Sequence, residues 1–225
     1  MRFQGRTFFV ACALPYFRIL LLNLLCEAPH WASHNFFLNY NKPNAMNNKS
    51  KPIIYQLLPR LFGNMNANCK PGGTYAENGS GKLNGITANV LKSIKDLGVT
   101  HIWYTGVIEH ATKTDYSAYG IKPCNPHVVK GNAGSPYAIR DYYDIDPDLA
   151  EDVRGRMGEF DDLVARTHRE GLKVIIDFVP NHVAREYASD AKPCEVEDLG
   201  SRDDVAKAFD RDNNFYYLPN QQFAP

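Results

Sequence analysis

A parallel α/β fold is predicted by three features of this 225-residue chain. Short runs rich in Ile, Val, Tyr, Phe and Trp alternate with stretches of helical periodicity, in the order β, α, β, α, β. The strand-like runs are almost continuously apolar, as strands covered on both faces are. Each helix meets the next strand through a single glycine, whereas the connections leading from strand to helix are long, about 63–85 and about 108–157. In sheets of this kind ligands sit at the carboxyl ends of the strands, on the loops that enter the helices.

The first strand is read in "IIYQLLPRLF" (53–62), which Gly63 ends. "GITANVLKSIKDLG" then places Ile86, Val90, Ile94 and Leu97 on one helical face and stops at Gly98, the residue type that takes left-handed dihedrals after a helix without steric cost. "VTHIWYTGVIEH" is the second strand. "GEFDDLVARTHREG" repeats the helical device with Phe160, Leu163, Val164 and Thr167 on one face and Gly171 at its end, and "LKVIIDFV" is the third strand.

Composition excludes several partners. The chain is 44% hydrophobic and 22% charged with zero formal net charge and no Lys/Arg cluster, so nucleic acid and anionic membrane surfaces, which are bound through concentrated positive charge, are not expected partners. The apolar stretch Ile19–Cys26 is far shorter than the roughly 20 residues of a membrane-spanning helix. Residues 1–50 read as a poorly ordered leader or as an extension upstream of a start at Met46. The first alternative implies secretion or a periplasmic location, the second a cytoplasmic one. The five cysteines are odd in number and widely spaced, leaving open one disulfide among Cys69, Cys124 and Cys194 or three free thiols.

One carboxylate, Asp177, interrupts the apolar run of the third strand, and Asn181 and His182 follow within five residues. An isolated buried carboxylate costs several kcal/mol, so Asp177 has a structural partner or belongs to a site. With Ile175 and Val179 it is expected on one face of an extended strand. "SPYAIRDYYDIDPDL" (135–149) interleaves Tyr137, Tyr142 and Tyr143 with Arg140 and four aspartates. Aromatic faces beside hydrogen-bonding groups suit sugars, although tyrosines in long loops often only pack the loop down. Asn64, Asn66 and Asn68 alternate as in a calcium loop but without its carboxylates, and are read as a turn. Dinucleotide, nucleotide, zinc-protease and serine-hydrolase signatures do not occur.

Together "IIYQLLPRLF", "LKSIKDLGVTHIWYTGV", "YAIRDYYDIDPDL" and "EFDDLVARTHREGLKVIIDFVPNHV", in this order, resemble the catalytic domain of the α-amylase family, glycoside hydrolase family 13. The resemblance covers about residues 50–190. It implies the N-terminal part, about three strands, of a TIM (β/α)8 barrel over 51–183, and the start of an inserted small domain B over 184–225. It implies a retaining hydrolase of α-glucans (starch, maltooligosaccharides) in which Asp177 supports the active-site network, Tyr137 stacks on the sugar, His182 hydrogen-bonds it and Asn181 ligates a structural calcium. The nucleophile and acid/base of that family lie on later strands. The chain is therefore expected to be an N-terminal fragment, inactive alone, whose partners are the glucan and the remainder of the barrel. The alternative is a non-catalytic remnant or sugar-binding protein.

Overall fold

The computed structural model describes residues 51–221, so the expectations for the leader, Ile19–Cys26 and Met46 lie outside the described residues. Three strands, β1 (Ile54–Leu57), β2 (His101–Tyr104) and β3 (Lys173–Ile176), form a parallel sheet in the order β1-β2-β3. Three helices lie between them: a single turn α1 (Tyr75–Asn78), then α2 (Ala88–Lys95) and α3 (Arg156–Arg169). The register aligns Tyr55 with Ile102 and Val174, and Leu57 with Tyr104 and Ile176. Alternation along a strand puts these six on one face. They share a hydrophobic core with Leu91 and Ile94 of α2 and Phe160 and Leu163 of α3. Consecutive β/α units of a barrel have this arrangement.

The helices follow from their sequences. Thr87 caps α2 through its side chain, and Gly98 and Gly171 leave α2 and α3 at φ 85° and 75°, the left-handed turn that lets each strand start at once. The buried face of α2 is Leu91 and Ile94, with Val90 partly covered. Leu97, expected on that face, is 71% exposed because the helix ends at Lys95 and the chain turns away. The strands are also shorter than the apolar runs that mark them. After Leu57 the chain breaks into turns at Leu58–Phe62, and Asp177 comes one residue after β3. Arg166 of α3 donates to the carbonyls of Ile86 and Leu83, and Lys95 Nζ to that of Glu170, which fastens the two crossovers to each other.

Other expectations resolve locally. Asn66 N–H and Asn68 N–H donate to the side chains of Asn64 and Asn66, and the amide groups of Asn64, Asn66 and Asn68 donate to the carbonyls of Asn78 and Glu77. The asparagine repeat thus builds a braced turn. Cys69, Cys124 and Cys194 are free thiols. The described part of the tail, residues 184–221, contains turns and no helix or strand. No helix among the described residues is long and apolar enough to cross a membrane.

Tyr104 shows how the core treats a polar group. Its ring is fully buried, and its hydroxyl lies 2.6 Å from Thr167 Oγ1, whose own proton goes to the Leu163 carbonyl at 2.8 Å. The Thr167 oxygen therefore accepts from Tyr104. Thr167→Val strands a buried tyrosine hydroxyl and is expected to cost about 1–3 kcal/mol, whereas Tyr104→Phe leaves threonine its donation and is expected to cost about 0.5–1.5 kcal/mol. Urea unfolding of both variants checks the order.

Candidate functional site

Trp103 and Ile175 are register partners on the sheet face away from the helices, and Asp177 lies just beyond β3. The Trp103 indole N–H donates to Asp177 Oδ1, and the Gly106 amide donates to Oδ2 at 3.2 Å. Both carboxylate oxygens are thus held by the end of β2, which supplies the structural partner its position demands. A Cβ at Gly106 would lie 2.5 Å from Cβ of Pro136, so the segment carrying Tyr137 crosses directly over this strand end. Tyr137 is 41% exposed.

The chain beyond β3 is tied to the same segment. The Ala184 amide donates to the Ile139 carbonyl at 2.7 Å, and the Ala188 amide to the Arg140 carbonyl at 3.2 Å. The Tyr142 ring packs against Phe178 and Tyr187, while its hydroxyl donates to the carbonyls of Val179 and His182. Asp177, Tyr137 and His182 therefore lie on stretches that hydrogen bonds and ring contacts bring to the carboxyl ends of β2 and β3. His182 is half-buried and Asn181 exposed. Asn181 Oδ1 faces His182 Nδ1 at 3.1 Å.

Most of the polar residues in 135–149 point inward. Asp141, Asp144, Asp146 and Asp148 are buried, as are Arg140 and, from the end of the second apolar run, Glu109 and His110. The Arg140 guanidinium bridges Glu109 and Asp190 at 2.6 and 2.8 Å. Arg156 binds Asp144 through two nitrogens. Asp141 accepts from Ser189, Tyr143 and Ala191, and Asp148 from the Tyr116 hydroxyl. Of the tyrosines read as a sugar surface, Tyr137 is exposed, whereas Tyr142 and Tyr143 are half-buried and Tyr142 packs against the core.

Burial sets the protonation of this network. It pushes the Glu109 carboxyl up to about 8, against the pull of Arg140 and with the help of Asp141 and Asp144. It also raises Asp141, Asp146 and Asp148. His110 is held down to about 3 by burial and by Arg60, and is neutral. His110 Nε2 lies against the Arg60 guanidinium and the Ala133 carbonyl, and Nδ1 beside the Ile108 carbonyl and 2.5 Å from Asp146 Oδ2.

A family model described as "Alpha amylase, catalytic domain" matches residues 56–221. The chain belongs to the alpha-amylase catalytic-domain family. Similar curated proteins include Maltase 1 of Drosophila virilis, 30% identical over 160 residues, covering 69% of this chain and 20% of that protein. The amino acid transporter heavy chain SLC3A1 of Mus musculus is 31% identical over 134 residues, covering 60% of this chain and 14% of that protein. Among solved structures, an alpha-amylase from Lactobacillus plantarum matches with 28% identity and a TM-score of 0.41, covering 60% of this chain and 24% of that one. The chain thus spans a fifth or less of the length of these two curated relatives.

Asn181, expected as one calcium ligand, offers one neutral oxygen, which faces the neighbouring imidazole; calcium takes six to eight oxygens, so further ligands would have to join it. Glu109, His110 and Arg60 went unread in the sequence. Their signal was the one that exposed Asp177, a charged or polar residue inside an apolar run, here Arg60 in "IIYQLLPRLF" and Glu109 and His110 at the end of "HIWYTGVIEH".

Two outcomes follow from these contacts. Asp177→Asn sets an amide N–H against one of two N–H donors and is expected to lower stability by about 1–3 kcal/mol, read by urea unfolding. For Glu109 the folded value lies above the unfolded one, so its contribution is complete below about pH 4.5 and is lost as pH rises through about 8. With chelator present, the unfolding midpoint is expected to fall between pH 5 and 8, and Glu109→Gln to remove part of that slope.

Proposed function

We propose that this chain forms the sugar-binding floor of a retaining glycoside hydrolase acting on α-glucans such as starch and maltooligosaccharides. Tyr137 stacks on a glucosyl ring, His182 hydrogen-bonds its hydroxyls, and Asp177 holds the strand end between them. The observation that carries this reading is the convergence of these three at one end of the sheet, in a chain of the alpha-amylase family with a maltase among its relatives.

Retaining hydrolysis needs two carboxyl groups about 5–5.5 Å apart on either side of the glycosidic bond. The acids of the β2-to-α3 connection are buried against arginines and backbone amides, and Asp177 spends both oxygens on Trp103 and Gly106. On this reading these 225 residues orient a sugar but do not cleave it, and the nucleophile and acid/base come from the remainder of a barrel. Binding without that pair does not lower the barrier to the oxocarbenium-like transition state. The likeness to an amino acid transporter heavy chain favours a second reading, a non-catalytic member of the family.

The test is to purify the 225-residue chain, titrate it with maltooligosaccharides by calorimetry and assay reducing-end release from soluble starch. Maltooligosaccharide binding, weakened about tenfold in Tyr137→Ala, with no release of reducing ends, is the expected result; tenfold corresponds to about 1.4 kcal/mol, the scale of one aromatic stack. Turnover that survives purification and disappears in Asp177→Asn overturns the binding-only reading. A folded chain that binds no glucan favours the second.

A further inference from the structure

Glu109, Asp141 and Asp144 each place a carboxylate oxygen within 4.8 Å of the others, and all three side chains are buried. We propose that they form a site for one calcium ion inside the β2-to-α3 connection, separate from Asn181 and independent of whether the chain binds sugar.

The charge balance is the first argument. Four carboxyl groups, those of the three residues and Asp190, meet two guanidiniums, Arg140 and Arg156, so full ionisation of the cluster calls for a further cation. A divalent ion would supply it. An orphaned atom is the second. Glu109 is 1% exposed, its Oε1 accepts from Arg140, and its Oε2 has no hydrogen-bond partner. A buried oxygen left unsatisfied is costly, and a cation is the partner that also suits its two carboxylate neighbours.

Ligand type selects the ion. A set made only of oxygen donors suits a hard cation, and calcium, which takes six to eight oxygens in flexible geometry, accepts a site built from protein groups more readily than magnesium, which demands near-ideal octahedral geometry and keeps several waters. Asp141 and Asp144 belong to the segment that carries Tyr137, and Glu109 to the strand end beneath it. The ion would clamp one to the other.

The full chain, stripped with chelator and confirmed folded by circular dichroism, is titrated with calcium chloride and with magnesium chloride, by calorimetry and by thermal unfolding. One calcium per chain, a raised unfolding midpoint and weaker binding of magnesium are expected. Glu109→Gln still accepts from Arg140 and is expected to lose at least tenfold in calcium affinity, while Asn181→Ala keeps it. Absence of calcium binding to the folded wild-type chain overturns the proposal, as does loss in Asn181→Ala with retention in Glu109→Gln. Should Glu109→Gln fail to fold, terbium emission from the wild type decides. Emission sensitised by tyrosine and displaced by calcium supports the site, since Tyr142 and Tyr143 lie between its aspartates in sequence; emission that calcium does not alter overturns it.

Discussion

Five acidic side chains taken out of water in one long connection are the constraint on which the path of that connection, and with it the candidate site, depends. Glu109, Asp141, Asp144, Asp146 and Asp148 lie between β2 and α3, where backbone structure is limited to turns, short 3-10 helices and the isolated antiparallel bridges Ile108–Ile145 and His110–Ile139. Removing one partner from a buried pair costs about 3–5 kcal/mol, so the donors fix the path of the chain. Arg140 ties the end of the β2 run to Asp190, Arg156 brings the start of α3 to Asp144, and Lys82 Nζ reaches the carbonyls of Asp148 and Ala150 from the loop before α2. Arg60 joins the turn after β1 to His110 and to the carbonyls of Ala133 and Gly134. A connection that would otherwise be free to wander is given one conformation.

That conformation creates the site. With residues 139–148 fastened below, Pro136 is pressed against Gly106, and Tyr137 is left partly exposed above the end of β2. Asp177 completes the arrangement from β3 by taking the amide of the same Gly106. The functional edge is therefore assembled from two layers: a buried ionic one that sets the loop, and a half-buried one in which neutral donors hold a single carboxylate. The sugar stacking proposed for Tyr137 gains from a rigid platform, because each rotamer frozen on binding subtracts from affinity. The buried layer supplies that rigidity.

The sheet was legible in the sequence because parallel strands and their crossover helices leave strong periodic signals: the runs at 53–62, 99–110 and 172–179 each contain an observed strand, and Gly98 and Gly171 mark both joints. Strand lengths were not legible, since apolar turns such as Leu58–Phe62 have the same composition as a buried strand. On α2, Leu97 fits the period of the face but falls beyond the helix end, which the pattern does not reveal. At the site, Asp177 stood out as a charge in an apolar run. The aspartates of 135–149 looked like a polar surface because composition cannot distinguish a solvated acid from one buried against an arginine that is distant in sequence, as Asp144 is from Arg156 and Glu109 from Arg140.

The central claim, that the buried ionic layer positions the site-bearing segments while the sheet stands without it, is tested most directly by hydrogen exchange read by mass spectrometry on the wild-type chain and on Arg140→Met. The account predicts faster exchange in residues 107–110, 137–146 and 184–191 of the variant, with β2 and α3 as protected as before. Unchanged exchange in those segments, or loss of protection across the whole sheet, would contradict it.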